Sequence, residues 1–220
     1  MFRLLYILQK ILAWIVRHVR LYSFQYSWRK ENEHNKTVVE NVFPINNVKV
    51  GKCTYGPIIV YCWGTEGEGL KIGDFCSIAS GVKFILGGNH RMNFISTFPF
   101  RNMLSEAKEA YSNGCIEIKD DVWIGSDVTI LSGVTLGQGC VVAAGSVVTR
   151  SFPEYSIIGG IPAKILSRRF DDNIIQRLQE IKLSRLNTEK IRLSLDDLYK
   201  DVNEFSEDEL EDLIKRINEI

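Results

Sequence analysis

The sequence predicts a mainly β chain built as a parallel β-helix, with an amphipathic helix before it and a helical appendix after it. Three observations carry this: a six-residue apolar period over residues 116–165, a basic and apolar stretch over residues 1–28, and helical apolar spacing after Asp171.

The period is plain in IEIKDDVWIGSDVTILSGVTLGQGCVVAAGSVVTRSF. Ile118, Ile124, Ile130, Leu136, Val142 and Val148 stand six apart. A second series, Val122, Val128, Val134, Cys140, Ser146 and Phe152, has the same spacing. Neither a helix nor an ordinary strand repeats at six, whereas three such hexads close one triangular coil of a β-helix with the large aliphatics pointing inward. Gly125, Gly133, Gly137 and Gly145 suit the corners, where a side chain or an ordinary backbone conformation would clash.

Taken in order, residues 1–28 carry Arg3, Lys10 and Arg17 seven apart, one basic stripe on a helix otherwise rich in Leu, Ile, Val, Phe and Trp. No uncharged run up to Arg20 exceeds six residues, far short of the roughly twenty that span a bilayer. No small-residue cleavage site follows, which argues against a signal peptide. An interfacial helix on an anionic membrane fits these residues best, so residues 1–30 are a candidate peripheral membrane contact. Packing of the helix on its own trimer or a neighbouring domain is the alternative. Residues 31–44 read as a polar linker, which gives a first segment of 1–44.

The β-helix segment is 45–168. Its first hexads are rougher: Ile72, Ile78, Phe84 and then His90 are six apart, with TEGEG at 65–69 as a corner loop. His90 and Ile118 are 28 apart, not a multiple of six, so residues 91–114 leave the prism and return. Long ordered loops tend to carry function. Pro162 ends the repeat. In the last segment, 169–220, Asp171 or Asp172 can cap a helix bearing Ile174, Ile175, Leu178 and Ile181. Leu195, Leu198, Val202 and Phe205 predict a second helix. Ser206 with Glu209 forms a capping box for a third.

Composition narrows the function. The 220 residues carry no net charge, which argues against a nucleic-acid partner held by bulk electrostatics. Charge is uneven: residues 1–30 hold no acid, and residues 171–220 hold fourteen acids against eight bases. Five cysteines without a C-x-x-C spacing indicate neither a disulfide frame nor a zinc site, and point to reduced thiols in the cytoplasm.

Of the three histidines, His90 alone sits where prism meets excursion, at a position that would otherwise take an inward aliphatic. An imidazole titrates near neutral pH and can take a proton from an acceptor hydroxyl as general base. A coil-capping histidine is the plainer alternative.

Residues 71–100, KIGDFCSIASGVKFILGGNHRMNFISTFPF, and 121–165, beginning DVWIGSDVTIL, resemble the left-handed β-helix acyltransferases. Within them the sequence is most similar to the xenobiotic branch, which holds chloramphenicol and streptogramin acetyltransferases and many sugar O-acetyltransferases. The likeness covers about residues 45–181, and GxNHR, a long loop and VWIGS together carry it more than the hexads do.

The resemblance implies a left-handed coil, a homotrimer with sites between subunits, and acetyl-CoA as acyl donor. It implies His90 as general base and Trp123 as the aromatic wall of a neighbour's site. Ser126 and the amides of Ala144 and Gly145 match positions that bind the thioester or pantetheine, where an N–H would stabilise an oxyanion. Thr149 and Arg150 match the coenzyme track, and Lys164, Arg168 and Arg169 offer charge for its phosphates. Asn89 and Arg91 flank the acceptor. Cys76 and Cys140 fall at inward positions and read as core. A metal site on this fold needs several histidines, and the prism has one, so none is expected. Serine acetyltransferases carry a long helical domain ahead of the prism, where this chain has about forty residues.

The implied function is transfer of acetyl from acetyl-CoA to a saccharide hydroxyl, of a surface polysaccharide or its precursor, at the inner face of the cytoplasmic membrane. The glycan rests on the N-terminal helix, since a membrane-bound acceptor explains an anchor and a soluble antibiotic does not. An antibiotic-inactivating acetyltransferase is the alternative, weakened by KLSRLN at 182–187, where many such enzymes carry a Trp-rich segment. A non-catalytic scaffold is a third reading, against which His90 and Trp123 argue.

Overall fold

The computed structural model describes residues 2–105 and 108–219. A long helix, α1 (Phe2–Glu31), opens the chain. The strands that follow are β1 (Lys36–Val39), β2 (Val48–Val50), β3 (Tyr55–Tyr61), β4 (Leu70–Ile72), β5 (Ser77–Ile78), β6 (Lys83–Ile85), β7 (Ile116–Ile118), β8 (Trp123–Ile124), β9 (Thr129–Leu131), β10 (Thr135–Leu136), β11 (Val141–Val142), β12 (Val147–Val148), β13 (Ser156–Gly160) and β14 (Ala163–Arg168).

Parallel pairing stacks them into the three faces of a left-handed β-helix. β2, β4, β7 and β10 form the first face. The head of β3, then β5, β8, β11 and β13, form the second. The tail of β3, then β6, β9 and β12, form the third. Leu136 pairs with Ile118, Val142 with Ile124 and Val148 with Ile130, each eighteen residues on, so three hexads make one coil. Both apolar series lie inside, with no member more than 4% exposed.

Corners are satisfied in two ways. Gly133 takes φ +78°, and a Cβ on Gly137 would stand 2.4 Å from the Glu154 nitrogen. Asp121 and Asp127 occupy the left-handed region at other corners, each with φ 57°, so glycine spacing marks only some of them.

The structure departs from the sequence reading at residues 31–44. β1 lies inside the supposed linker and pairs in parallel with β3, so the sheet begins well before residue 45. Its polarity is misleading because the polar groups are buried and paired. Asn35 Oδ1 accepts from the Thr37 amide (3.1 Å) and hydroxyl (2.8 Å), and Trp28 Nε1 donates to Thr37 Oγ1 (3.1 Å).

Past the prism, β13 and β14 form an antiparallel hairpin through Pro162. The excursion carries a short helix, α2 (Phe100–Leu104). The appendix is α3 (Asp172–Leu178), α4 (Thr188–Leu193), α5 (Leu195–Leu198) and α6 (Glu207–Asn218). The single helix expected over Leu195–Phe205 is broken after Leu198, and Val202–Glu204 form a 3₁₀ turn capped by Asp201. The Ser206–Glu209 capping box is present, and α6 buries Leu210, Leu213, Ile214 and Ile217.

Ile130 is fully buried and paired to both neighbouring coils of its face. Replacing it with Ala removes inward volume that a rigid prism cannot refill, and the expected loss of stability is about 2–5 kcal/mol. Urea unfolding followed by circular dichroism reads this as a lower midpoint. A change confined to exposed Thr149 should leave that midpoint in place.

Candidate active site

The corner between the third and first faces gathers the chain's irregular segments. TEGEG leaves it between β3 and β4, and the excursion leaves it one coil later, between β6 and β7. Glu68 closes the first loop by accepting from the Trp63 and Gly64 amides (both 2.9 Å) and the Thr65 hydroxyl (2.8 Å). Burial acts to raise this carboxyl, but those donors hold it below the usual carboxylate range. The Trp63 ring lies under Gly88, where a Cβ would meet it at 2.8 Å.

His90 is not at an inward position. The chain turns off the prism after Leu86, and Asn89 pairs antiparallel with Tyr111 on the return, leaving His90 exposed. The period of six does not extend past Phe84, because Gly88 with φ +78° redirects the backbone. His90 Nδ1 lies 2.7 Å from the Thr97 carbonyl oxygen. A carbonyl only accepts, so Nδ1 carries the proton and a neutral ring presents Nε2 as its lone pair. A cavity of about 350 Å³ adjoins His90, lined by Phe94, Phe98 and Phe100 among others, with Arg91, Arg101 and Glu109 as its charged groups.

The two residues expected to flank the acceptor are differently engaged. Asn89 donates to Ser132 Oγ at 3.1 Å and so ties the loop base to the next coil. Arg91 lies over the Tyr111 ring, 4.4 Å from its centroid, and lines the cavity. Were His90 only a structural cap, the base would have to come from a carboxylate or tyrosine of residues 91–114, such as Glu106 or Tyr111; Tyr111 carries that stack and Glu106 lies outside the described residues.

Trp123 stands on β8 in the second face, 58% exposed. That face is opposite the corner bearing His90, so within one chain the prism separates the two. Ser126, Ala144 and Gly145 occupy the corner between second and third faces, on successive coils. The Gly145 amide donates to the Ser126 carbonyl (2.8 Å), so it is already committed. Leu166 reaches the same corner: a Cβ on Gly159 would stand 3.0 Å from both Leu166 Cδ1 and Ala143 Cβ. Lys164 lies two residues back on β14 and is exposed; the bulge opposite Ile157 and Ile158 interrupts the strand's alternation at Leu166.

Thr149 and Arg150 lie at the corner that carries the excursion, with Arg150 over the Phe152 ring at 5.4 Å. Arg168 ends β14, half-buried, and its Nε is buried with no hydrogen-bond partner among the described residues. Arg169 is a clamp: it donates to Asp121 (3.0 Å) and to the Gly139 carbonyl (2.9 Å) and stacks on Tyr155. That places it at the corner between first and second faces, away from Ala144.

Sequence reasoning missed Thr97, Trp63, Ser132 and the phenylalanine lining. Thr97 acts through its carbonyl, which no side chain advertises. FISTFPF did carry a readable signal, three phenylalanines in an excursion.

A left-handed prism of six-residue repeats is the fold of the hexapeptide-repeat transferases. Residues 116–150 match the family model described as bacterial transferase hexapeptide (six repeats). The chain is 42% identical over 134 residues to a chloramphenicol acetyltransferase of Agrobacterium fabrum, covering 57% of this chain and 64% of that one. It is 38% identical over 133 residues to a probable macrolide acetyltransferase of Lysinibacillus sphaericus, covering 57% and 74%. A hexapeptide-repeat-containing acetyltransferase from Vibrio cholerae superposes with TM-score 0.50 and 28% identity over 66% of this chain and 78% of that one. The chain belongs to the hexapeptide-repeat acyltransferase family. It spans 64% of the length of the chloramphenicol acetyltransferase that it matches.

The thiols are poor nucleophiles where they are buried. Burial pushes Cys76 up to about 12 and also raises Cys140, so both remain protonated at neutral pH. Cys53 is exposed. With Ellman's reagent on native protein, Cys53 should react first, and Cys76 and Cys140 only on unfolding. Rapid native labelling of either buried thiol would reopen its role in chemistry.

Proposed function

We propose that the protein is an acetyl-CoA-dependent O-acetyltransferase acting on a saccharide hydroxyl, with donor and acceptor bound together and transfer direct. The His90–Thr97 hydrogen bond carries the reading, because it fixes the ring with a basic Nε2. That nitrogen takes the acceptor proton as the new ester bond forms and returns it to the departing sulfur. Acetyl-CoA supplies the acetyl group as a thioester and ends as the free thiol.

This chain's residues fit such a donor. Trp123, Ile161 and Leu166 are exposed apolar groups along the second face and its hairpin. The Ala144 amide has no intramolecular acceptor among the described residues, and Lys164 adds an exposed cation. Together they suit an arm that alternates apolar methylenes, amides and phosphate. Since His90 and Trp123 sit on opposite sides of one prism, the site is completed by a neighbouring copy, and a closed homotrimer is the assembly that supplies one to each.

The acceptor is a saccharide of a surface polysaccharide or its lipid-linked precursor, met at the inner face of the cytoplasmic membrane. Phenylalanine platforms suit the C–H face of a pyranose, and α1 suits an acceptor held at a bilayer. A second reading, an antibiotic-inactivating acetyltransferase, is favoured by the 42% identity to a chloramphenicol acetyltransferase. Free-thiol release with acetyl-CoA and a panel of nucleotide sugars, oligosaccharides, chloramphenicol and a streptogramin separates the two.

On the acceptor that panel identifies, His90→Ala should lower turnover by about 10²–10⁴-fold. Binding of acetyl-CoA, measured by calorimetry, should persist. Trp123→Ala should instead raise KM for acetyl-CoA. Near-normal turnover by His90→Ala would leave His90 a structural residue and end this assignment.

A further inference from the structure

The root of α1 is fastened to the prism. Trp28 is 1% exposed and meets the Phe43 ring edge-on at 5.7 Å, with Phe24 against the same ring at 5.0 Å. Gln25 Nε2 donates to the Val39 carbonyl (2.8 Å), and Arg29 donates to the Thr37 (2.9 Å) and Asn35 (2.8 Å) carbonyls. Four residues over two turns are therefore tied to β1 and its flanks, which holds the helix as an outrigger and not as a tether.

Beyond that root the helix is largely exposed. At about 100° per residue, Leu4, Leu8, Ile11, Leu12, Ile15 and Val19 fall within one arc of about 100°. Trp14 and Val16 extend it to about 200°. Those six side chains are 44–64% exposed. One polar group interrupts the arc, His18, and its ring lies against Trp14 with Nδ1 bonded to the Trp14 carbonyl. The opposite arc carries Arg3, Lys10, Arg17 and Arg20. Arg3, Lys10 and Arg17 form a row of sevens whose next member is Phe24, on the side packed against the prism. Leu4, Leu8, Ile11 and Leu12 thus lie beyond the body, while Ile15, Val16 and Val19 line a groove that reaches Val42 at the root.

We infer that α1 seats the protein in the interface of an anionic lipid surface, apolar arc down, with the prism held at a fixed angle above it. Charge complementarity selects this occupant. Residues 1–30 contain six Lys and Arg and no acid, so a second copy's α1 offers these cations no partner, whereas an anionic surface offers them opposite charge. Lys10 and Arg17 divide the apolar sequence, and among the described residues no helix is long and apolar enough to cross a membrane. A flat orientation lets those side chains reach the headgroups. Resting on the function proposed above, this makes the acceptor a saccharide carried on a lipid anchor in that same surface.

Flotation of the full chain with vesicles tests this. Wild type should float with phosphatidylcholine vesicles containing a third phosphatidylglycerol, and less with phosphatidylcholine alone or in high salt. The Ile11→Asp, Ile15→Asp double variant should lose flotation on both. Changing Arg3, Lys10 and Arg17 to Glu should lower affinity for the anionic vesicles by at least on the order of a hundredfold. In both variants, acetyl transfer to a short water-soluble saccharide should match wild type, which shows an intact body. Absence of wild-type flotation overturns the inference. So does a fall in oligomer mass of the Asp variant by light scattering without a change in flotation, since the arc would then cover another copy. If no saccharide is acetylated by any form, the functional reading fails while the flotation result stands by itself.

Discussion

Everything in this molecule hangs on the coil of eighteen residues. Each parallel ladder fixes the register of three hexads, and each hexad sends one aliphatic into an axis with no spare volume. Leu136 over Ile118 and Val148 over Ile130 leave no freedom to slip, because a shift of one residue turns an inward side chain outward. A stack of this kind assigns every residue to a face or a corner, and chemistry is then a matter of which corner.

The separation of His90 from Trp123 follows from that rigidity. The excursion can leave only at a corner, and its corner lies across the prism from the face that holds β8. Two groups that cannot approach each other in one chain can do so across a threefold assembly, where the face of one copy meets the corner of the next. In the proposed assembly, catalysis and oligomerisation are therefore the same constraint. Ser132 and Tyr111 fasten the excursion at Asn89, and in the proposed assembly they would set where the histidine meets a neighbour.

The prism from Ile116 to Val148 was legible in the sequence because each apolar position is repeated and each has one geometric solution. α1 and the Ser206 capping box were legible for the same reason, since their spacing answers to a single period. Less was readable where polar residues are buried in pairs. Asn35 and Thr37 look like linker and are sheet, their hydrogen bonds satisfied by each other and by Trp28. His90 stood out at the edge of the repeat, but its inward hexad position was misread, since Gly88 at φ +78° turns the chain off the prism and a glycine's presence alone does not say which way the backbone turns. Arg169 looked like a phosphate ligand and is a corner clamp, a distinction set by Asp121, 48 residues away in sequence.

The most direct measurement mixes two damaged chains. His90→Ala and Trp123→Ala proteins are co-refolded in equal amounts and assayed for acetyl transfer at acetyl-CoA well below the wild-type KM, where each is impaired alone. If each site joins His90 of one copy to Trp123 of the next, random trimers regain intact sites at about one interface in four, and activity rises well above either parent. A mixture no more active than its parents would place both residues in one subunit's site and contradict the account.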